Sequence, residues 1–383
     1  MLAKFSVHNF KNFNEELSVD LTNISDYQFN SYCIKNSLIN KGILYGPNAT
    51  GKSNLIQAIF DVKNSLFGNP VNINPDNDES NYLNYNNLNV TKADFFYEFH
   101  FDNDIIQYAY GKKDSTTFVY EKFSINNECV FCYDHSKNEY NIDGFKNNKY
   151  LNEIQFHLWE KNENMPLLRF MINNSNYTST PSIDKLKNFI TKMAWLRPSD
   201  SRAIGNLPII SSGGKNIRIL TSIIEKDKIS ELQDFLLESG NISLNLVVKE
   251  SIEGDKEIYV KFENGKLLKL NRVASGGTWS LIAIFFMIMN LDDTSLLLID
   301  EFDANYHHLT SENVIKKIIS ESDHQILVTT HNTDIMTNKL FRPDSIFLLD
   351  NNKFIPVKDA TTRELREGHN LEKLYQNGDF ING

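Results

Sequence analysis

Between Leu2 and Asp20, Phe5, Val7, Phe10 and Phe13 stand among polar residues, and with Leu17, Val19 and Leu21 they predict two strands joined by a turn. Lys41-Gly-Ile-Leu-Tyr45 reads as a short buried strand. Ser53 to Leu66 then places Leu55, Ile56, Ile59, Val62 and Leu66 at helical intervals, so strand, glycine turn and helix follow one another. Asn69 to Asn89 is rich in Asn, Asp and Pro with few apolar anchors, the pattern of an exposed loop. From Lys92 to Ile142 the period is two, with Phe95, Tyr97, Phe99 and Phe101 on one face, followed by Ile106, Tyr108, Tyr110, Phe118, Tyr120 and Phe123. An aromatic-rich antiparallel sheet is expected there.

The second half changes character. Leu151 to Ile172, Ile183 to Leu196 and Ile217 to Glu238 read as helical, and Ser243 to Lys269 returns to strands. Helix is expected again over Leu281 to Leu291 and Glu312 to Ser320, alternating with apolar strands at Ser295 to Ile299, Gln325 to Thr330 and Ile346 to Leu349. Helices alternating with wholly apolar strands indicate a parallel sheet covered on both faces. Four segments result: 1-68 with the N-terminal strands and glycine turn, 69-150 with the polar loop and antiparallel lobe, 151-242 as a helical insertion, and 243-383 completing the core.

A chain of 383 residues, 41% hydrophobic and 23% charged, has room for a substantial core, which excludes disordered and disulfide-scaffold classes. Lys plus Arg total 39 against 49 acids, a net charge of −10, so no overall positive field draws the chain to nucleic acid or anionic lipid, although a local basic groove stays open. Three cysteines, no apolar leader at the start, and a longest apolar run (Trp279 to Leu291) too short for a bilayer lead us to expect a cytoplasmic protein without membrane attachment. Cys129 and Cys132 have zinc-knuckle spacing but no second pair, and in a regularly alternating strand they would face opposite sides.

Chemistry enters with Gly46-Pro47-Asn48-Ala49-Thr50-Gly51-Lys52-Ser53, which matches G-x-x-x-x-G-K-[ST] in the strand-to-helix context that a phosphate loop requires. Its backbone N–H groups can curl around anionic oxygens, Lys52 can reach the outer phosphates of a nucleotide, and Ser53 can ligate Mg²⁺. Ser295-Leu-Leu-Leu-Ile-Asp300-Glu301 is an apolar strand ending in two acids. Asp300 is placed to hold Mg²⁺ through its waters, and Glu301 to orient or deprotonate attacking water. Ala274-Ser275-Gly276-Gly277-Thr278 offers small residues and free N–H groups at a helix start, suited to a second phosphate-binding turn.

In order and type these motifs, with His331 ending the next buried strand, resemble ABC-type ATPases of the SMC and RecF-like branch. Asn9-Phe10-Lys11, Leu298 to His307, Thr329 to Asp334 and the tail Glu364 to Gly378 resemble more closely the short AAA-annotated ATPases of bacterial abortive-infection and anti-phage systems. The resemblance implies an α/β P-loop NTPase with an ABC-ATPase-like mixed sheet, an antiparallel β lobe and an inserted helical region. It makes Ser275, Gly276 and Gly277 a signature turn that contacts the γ-phosphate held by another subunit, so that an ATP-sandwiched dimer or higher homo-oligomer forms. It makes His331 a switch residue at the γ-phosphate or water, and Asp303 to Asn305 the loop joining the two sites. Departures are Ala274 and Thr278 at the signature ends and His308 where relatives often carry Pro. Gln155 is one candidate for a metal-contacting glutamine.

About fifty residues follow His331, fewer than a nuclease domain of the TOPRIM type needs, so a nuclease or toxin effector is expected on a separate chain. Two roles remain. One is an ATPase that senses infection or regulates such an effector; the other is a DNA-repair ATPase that clamps duplex DNA.

Overall fold

The computed structural model describes residues 1–68, 82–87, 89–137, 139–141, 159, 165–174, 181–198, 210–212, 215–217, 219–250, 256–305, 307–320 and 322–380. Among them a six-stranded sheet runs in the order Ala194–Leu196, Leu296–Ile299, Gln325–Thr330, Lys41–Tyr45, Ile346–Asp350, Lys353–Pro356. All neighbours are parallel except the last pair. Alternation along its strands explains their unbroken apolar runs. Leu44, Leu296, Leu298 and Leu327 enter a core shared with helix Lys52–Phe67. Ile43, Tyr45, Leu297, Ile299, Ile326 and Val328 enter a second core with helices Ile229–Gly240, Gly276–Met289 and His308–Ser320. Both faces are covered, as a parallel sheet requires.

A seven-stranded antiparallel sheet forms the lobe, in the order Glu139–Asn141, Glu128–Asp134, Phe118–Ile125, Asp104–Lys112, Ala93–Phe101, Leu2–His8, Leu17–Asp20. Residues 1–68 therefore divide between the two sheets. Leu2–His8 pairs on one side with Leu17–Asp20 and on the other with Ala93–Phe101, while Lys41–Tyr45 lies mid-sheet in the parallel layer. Phe95, Tyr97, Phe99, Tyr108 and Tyr110 are all buried beneath the lobe, as their period of two implies.

A buried polar cluster fastens the lobe to the helix that starts at Lys52. Asp61, in mid-helix, accepts hydrogen bonds from Lys112 Nζ at 3.1 and 3.2 Å and from the Tyr110 hydroxyl at 2.8 Å. Lys112 also donates to Ser65 Oγ at 3.0 Å, and the Tyr97 hydroxyl donates to the Ala58 carbonyl at 2.7 Å. Lys112 is 0% exposed and Asp61 7%, so neither charge has water as an alternative partner. On the far side of the lobe, buried Glu121 accepts from Tyr108, Tyr133 and the Leu167 amide at 2.5 to 2.6 Å and thereby caps helix Leu167–Asn174. Burial raises the Glu121 carboxyl above its ordinary range, against these donors.

Several element boundaries differ from the pattern reading. The helix expected over Ile183 to Leu196 is Pro181–Thr191, after which Ala194–Leu196 turns into an edge strand parallel to Leu296–Ile299. Met-Ala-Trp-Leu is apolar throughout, so periodicity could not distinguish a last helical turn from a buried strand. The helix expected from Leu281 begins at Gly276, and that expected from Glu312 begins at His308. Most of Leu151 to Ile172, including Gln155, and 69–81 of the polar loop lie outside the described residues. The two cysteines do not face opposite sides. A bulge sets Cys132 opposite Lys122 and Cys129 opposite Ser124, two residues apart on the partner strand and therefore on one face. No described helix is long and apolar enough to cross a membrane.

Replacing Asp61 with Ala strands the Lys112 ammonium without its counter-charge and is expected to destabilise the protein by about 3–5 kcal/mol, read by urea denaturation. An unchanged midpoint would show that the cluster does not hold the lobe.

Candidate functional site

The glycine turn leaves the C-terminal end of Lys41–Tyr45 in mid-sheet and enters the helix at Lys52. Gly46 is buried, Pro47, Asn48 and Ala49 are exposed, and Thr50 donates to the Pro47 carbonyl at 2.9 Å. Two loop residues are left-handed, Ala49 at φ 64° and Gly51 at φ 101°. Gly51 has a second constraint, because a Cβ there would stand 2.4 Å from Asn12 Nδ2. Asn12 reaches the loop from the N-terminal turn, donating to Thr50 O at 3.3 Å and accepting from Asn54 at 2.6 Å. The Asn9-Phe10-Lys11 segment, singled out by resemblance, therefore leads directly into a residue that supports the loop.

Lys52 is buried at 6% exposure, and its Nζ donates to the carbonyls of Gly46 at 2.7 Å and Pro47 at 2.9 Å. Burial lowers its pKa, while Glu301, Asp300 and Asp303 act in the opposite direction. The lysine of the glycine turn thus feels the charges of the acidic strand tip.

Asp300 is fully buried, and Thr329 Oγ1 donates to its Oδ1 at 2.7 Å. The same Thr329 oxygen accepts from the Glu301 amide at 2.9 Å, which holds Glu301 in the left-handed region at φ 50°. Burial raises the Asp300 pKa, with Thr329, Ser53 and Arg197 favouring the charged form and Glu301 opposing it. Arg197 follows the edge strand and sets Nε 3.5 Å from Asp300 Oδ2 and Nη2 3.2 Å from Glu301 Oε2. Asp303 is tied to Thr330 Oγ1 at 2.8 Å through both carboxylate oxygens. Burial raises its pKa, and exposed His331, the residue after Thr330, favours its charged form.

The structure thus gathers Lys52, Ser53, Asp300 and Glu301 at the C-terminal ends of adjoining parallel strands, with His331 beside Asp303. Ser275, Gly276 and Gly277 are placed differently. Ser275 caps helix Gly276–Met289, its Oγ accepting from the Thr278 amide at 3.1 Å and pairing with the Thr278 hydroxyl at 2.9 Å. A Cβ on Gly277 would lie 2.8 Å from the Asn305 carbonyl, so the turn packs on the 303–305 loop. Among the described residues this turn makes no hydrogen bond with residues 46–53.

Motif reasoning missed Thr329, Thr330 and Arg197. The threonines had a readable signal, lying at the end of an apolar strand directly before His331. Arg197 has none, because the apolar stretch before it suits helix and buried strand equally.

A nucleotide with Mg²⁺ fits these residues. Asp300 Oδ2 is buried without a hydrogen bond among the described residues, and the Ser53 hydroxyl favours the ionised carboxylate. One carboxylate and one hydroxyl are too few to cage a hard cation alone, but they suit Mg²⁺ held mainly by phosphate oxygens and water.

A family model described as "AAA domain, putative AbiEii toxin, Type IV TA system" matches residues 43–337, more than half of the chain. The chain belongs to this AAA family. Among solved structures, the Smc head bound to the C-winged helix domain of ScpA is 17% identical, with 92% of this chain and 96% of that chain covered at a TM-score of 0.48. The SMC head domain from Thermotoga maritima is 16% identical, covering 93% and 98% at 0.42. The Smc head with an extended coiled coil bound to the C-terminal domain of ScpA, from Pyrococcus furiosus, is 14% identical, covering 92% and 95% at 0.46. A search of the curated proteins finds no match.

Thr329→Val keeps the shape of the AAA-family site but leaves the Asp300 carboxylate and the Glu301 amide each short of a partner, with an expected loss of about 1–3 kcal/mol for each. Thr329→Ser should retain most of the stability in chemical denaturation; a Val variant as stable as the parent would show that neither bond matters.

Proposed function

We propose that this AAA-family chain hydrolyses ATP at the interface of two copies, and that closure of the pair regulates a separately encoded effector in a bacterial defence system. The observation that carries the reading is the grouping of Lys52, Ser53, Asp300 and Glu301 around the strand ends held by Thr329. The loop N–H groups of residues 48–53 and the Lys52 ammonium take the phosphate oxygens, with Lys52 exchanging its carbonyl partners for phosphate. Ser53 and Asp300 would hold Mg²⁺, which when bound would neutralise phosphate charge. Glu301 orients the attacking water and accepts its proton, and His331 takes a place at the γ-phosphate.

Two copies enter because, among the described residues, the Ser275 turn makes no hydrogen bond to the glycine loop of its own chain. On this reading its remaining N–H groups cap the nucleotide of a neighbour, and loss of the γ-phosphate releases the pair. The family description's reference to a toxin and a toxin–antitoxin system supports a defence role over a DNA clamp, as does the net charge of −10.

Lys52→Ala is expected to abolish ATP binding in a fluorescent-nucleotide titration. Glu301→Gln should keep binding, lose phosphate release and accumulate as a closed dimer with ATP; undiminished phosphate release would remove the water-activating role. Gly276→Asp should bind nucleotide as a monomer yet fail to dimerise in sedimentation with ATP, and a Gly276→Asp dimer would exclude the shared site. Tight, salt-sensitive retention of duplex DNA in gel shifts would favour the DNA-clamp reading.

A further inference from the structure

We propose that Arg197 is a positioning residue of the phosphate site: it holds the Asp300 and Glu301 carboxylates in their working arrangement and ties that arrangement to the helix that begins after Ser275. The inference rests on the ATPase reading above.

The edge strand Ala194–Leu196 sets Leu196 opposite Ile299, and the Asp300 amide donates to the Leu196 carbonyl at 2.8 Å. That backbone bond fixes Arg197 abreast of the two acids. Its guanidinium then spans them, Nε lying 3.5 Å from Asp300 Oδ2 and Nη2 lying 3.2 Å from Glu301 Oε2. The division of labour with Thr329 is clear. Thr329 binds Asp300 Oδ1 and the Glu301 amide, so it fixes one carboxylate oxygen and the backbone. Arg197 addresses the other Asp300 oxygen and the Glu301 side chain, which the threonine does not reach. A planar fork can serve two adjacent acceptors at once, whereas an ammonium offers a point charge.

The next residue connects this clamp to the glycine turn. The Pro198 carbonyl accepts from Ser280 Oγ at 3.0 Å, and Ser280 Oγ accepts from Asn305 Nδ2 at 2.8 Å. Ser280 is fully buried and lies on the helix whose first turn holds Gly277 against the Asn305 carbonyl. Every link is a hydrogen bond or a close backbone contact, and the Ser280–Pro198 bond at its centre is buried. A shift of the Ser275 turn on meeting a second nucleotide would therefore move Pro198, and with it the guanidinium.

Arg197 also has an effect that a merely structural residue lacks. A cation beside Asp300 opposes the approach of a divalent ion to the same carboxylate, so removing it should hurt turnover without hurting metal binding. The test uses the full chain. Mn²⁺ affinity is measured by electron paramagnetic resonance with a non-hydrolysable ATP analogue, and kcat and KM for ATP are measured separately. Arg197→Gln should lower kcat about ten- to a hundred-fold with KM changed less than about three-fold, while Mn²⁺ binds as tightly as in the parent or tighter. Arg197→Lys should keep the parent's Mn²⁺ affinity but recover little of kcat, and it carries the test alone if the Gln variant does not fold. Ser280→Ala should lower kcat in the same direction, with the double variant no worse than Arg197→Gln.

The proposal is overturned if Arg197→Gln turns over like the parent, if Mn²⁺ affinity falls in step with kcat, or if the Ser280 and Arg197 effects multiply independently. Failure of the underlying ATPase reading shows elsewhere. In that case either the parent does not bind the analogue or Lys52→Ala still does.

Discussion

One hydroxyl organises the candidate site. Thr329 Oγ1 donates to Asp300 and accepts from the backbone of Glu301, so the two acids are held in relation to each other by a residue of the neighbouring strand. This works only because Leu296–Ile299 and Gln325–Thr330 run parallel in a set register, with Ile299 opposite Val328. A slip of one residue would turn Thr329 to the other face and leave a buried carboxylate without its donor. The left-handed conformation of Glu301 depends on the same bond, since a non-glycine residue stays there only when its surroundings hold it.

Around that point the two sheets meet over helix Lys52–Phe67 through a shared apolar core and a buried ion pair. Helix Lys52–Phe67 presents Lys52 and Ser53 at one end and Asp61 in its middle, where Lys112, Tyr110 and Ser65 meet. Hydrophobic contact alone would allow the lobe to slide over the helix. The Asp61 cluster admits one arrangement, because any other leaves an ammonium or a carboxylate unpaired away from water. The antiparallel lobe is thereby fixed relative to the phosphate loop, although none of its aromatic side chains approaches the loop through a described hydrogen bond.

The chemistry that could be read in advance was contiguous. Residues 46–53 form a loop whose geometry follows from their own backbone preferences, and Asp300 and Glu301 follow an apolar strand without interruption. Ser275 was legible as a helix start because capping is a local act, although the unbroken apolar run from Leu281 begins five residues inside the helix. Thr329, Thr330 and Arg197 belong to other strands, and nothing in their neighbours along the chain says which carboxylate they will meet. Arg197 was hidden twice, by distance along the chain and by an apolar stretch that suits helix and buried strand equally. The cysteines show the reverse: regular alternation predicts opposite faces, and a bulge alters that register.

Spacing along the chain was enough for the layered α/β architecture, the antiparallel aromatic lobe and the phosphate loop, since each expresses a periodicity or a turn preference that a few consecutive residues carry. The order of strands in the parallel layer, the placing of Arg197 against two acids, and the seating of the Ser275 turn on Asn305 were settled only when distant segments packed together. Hydrogen bonds and ion pairs of this kind depend on distances of a few ångströms between residues as much as 104 positions apart, and no local pattern encodes such distances.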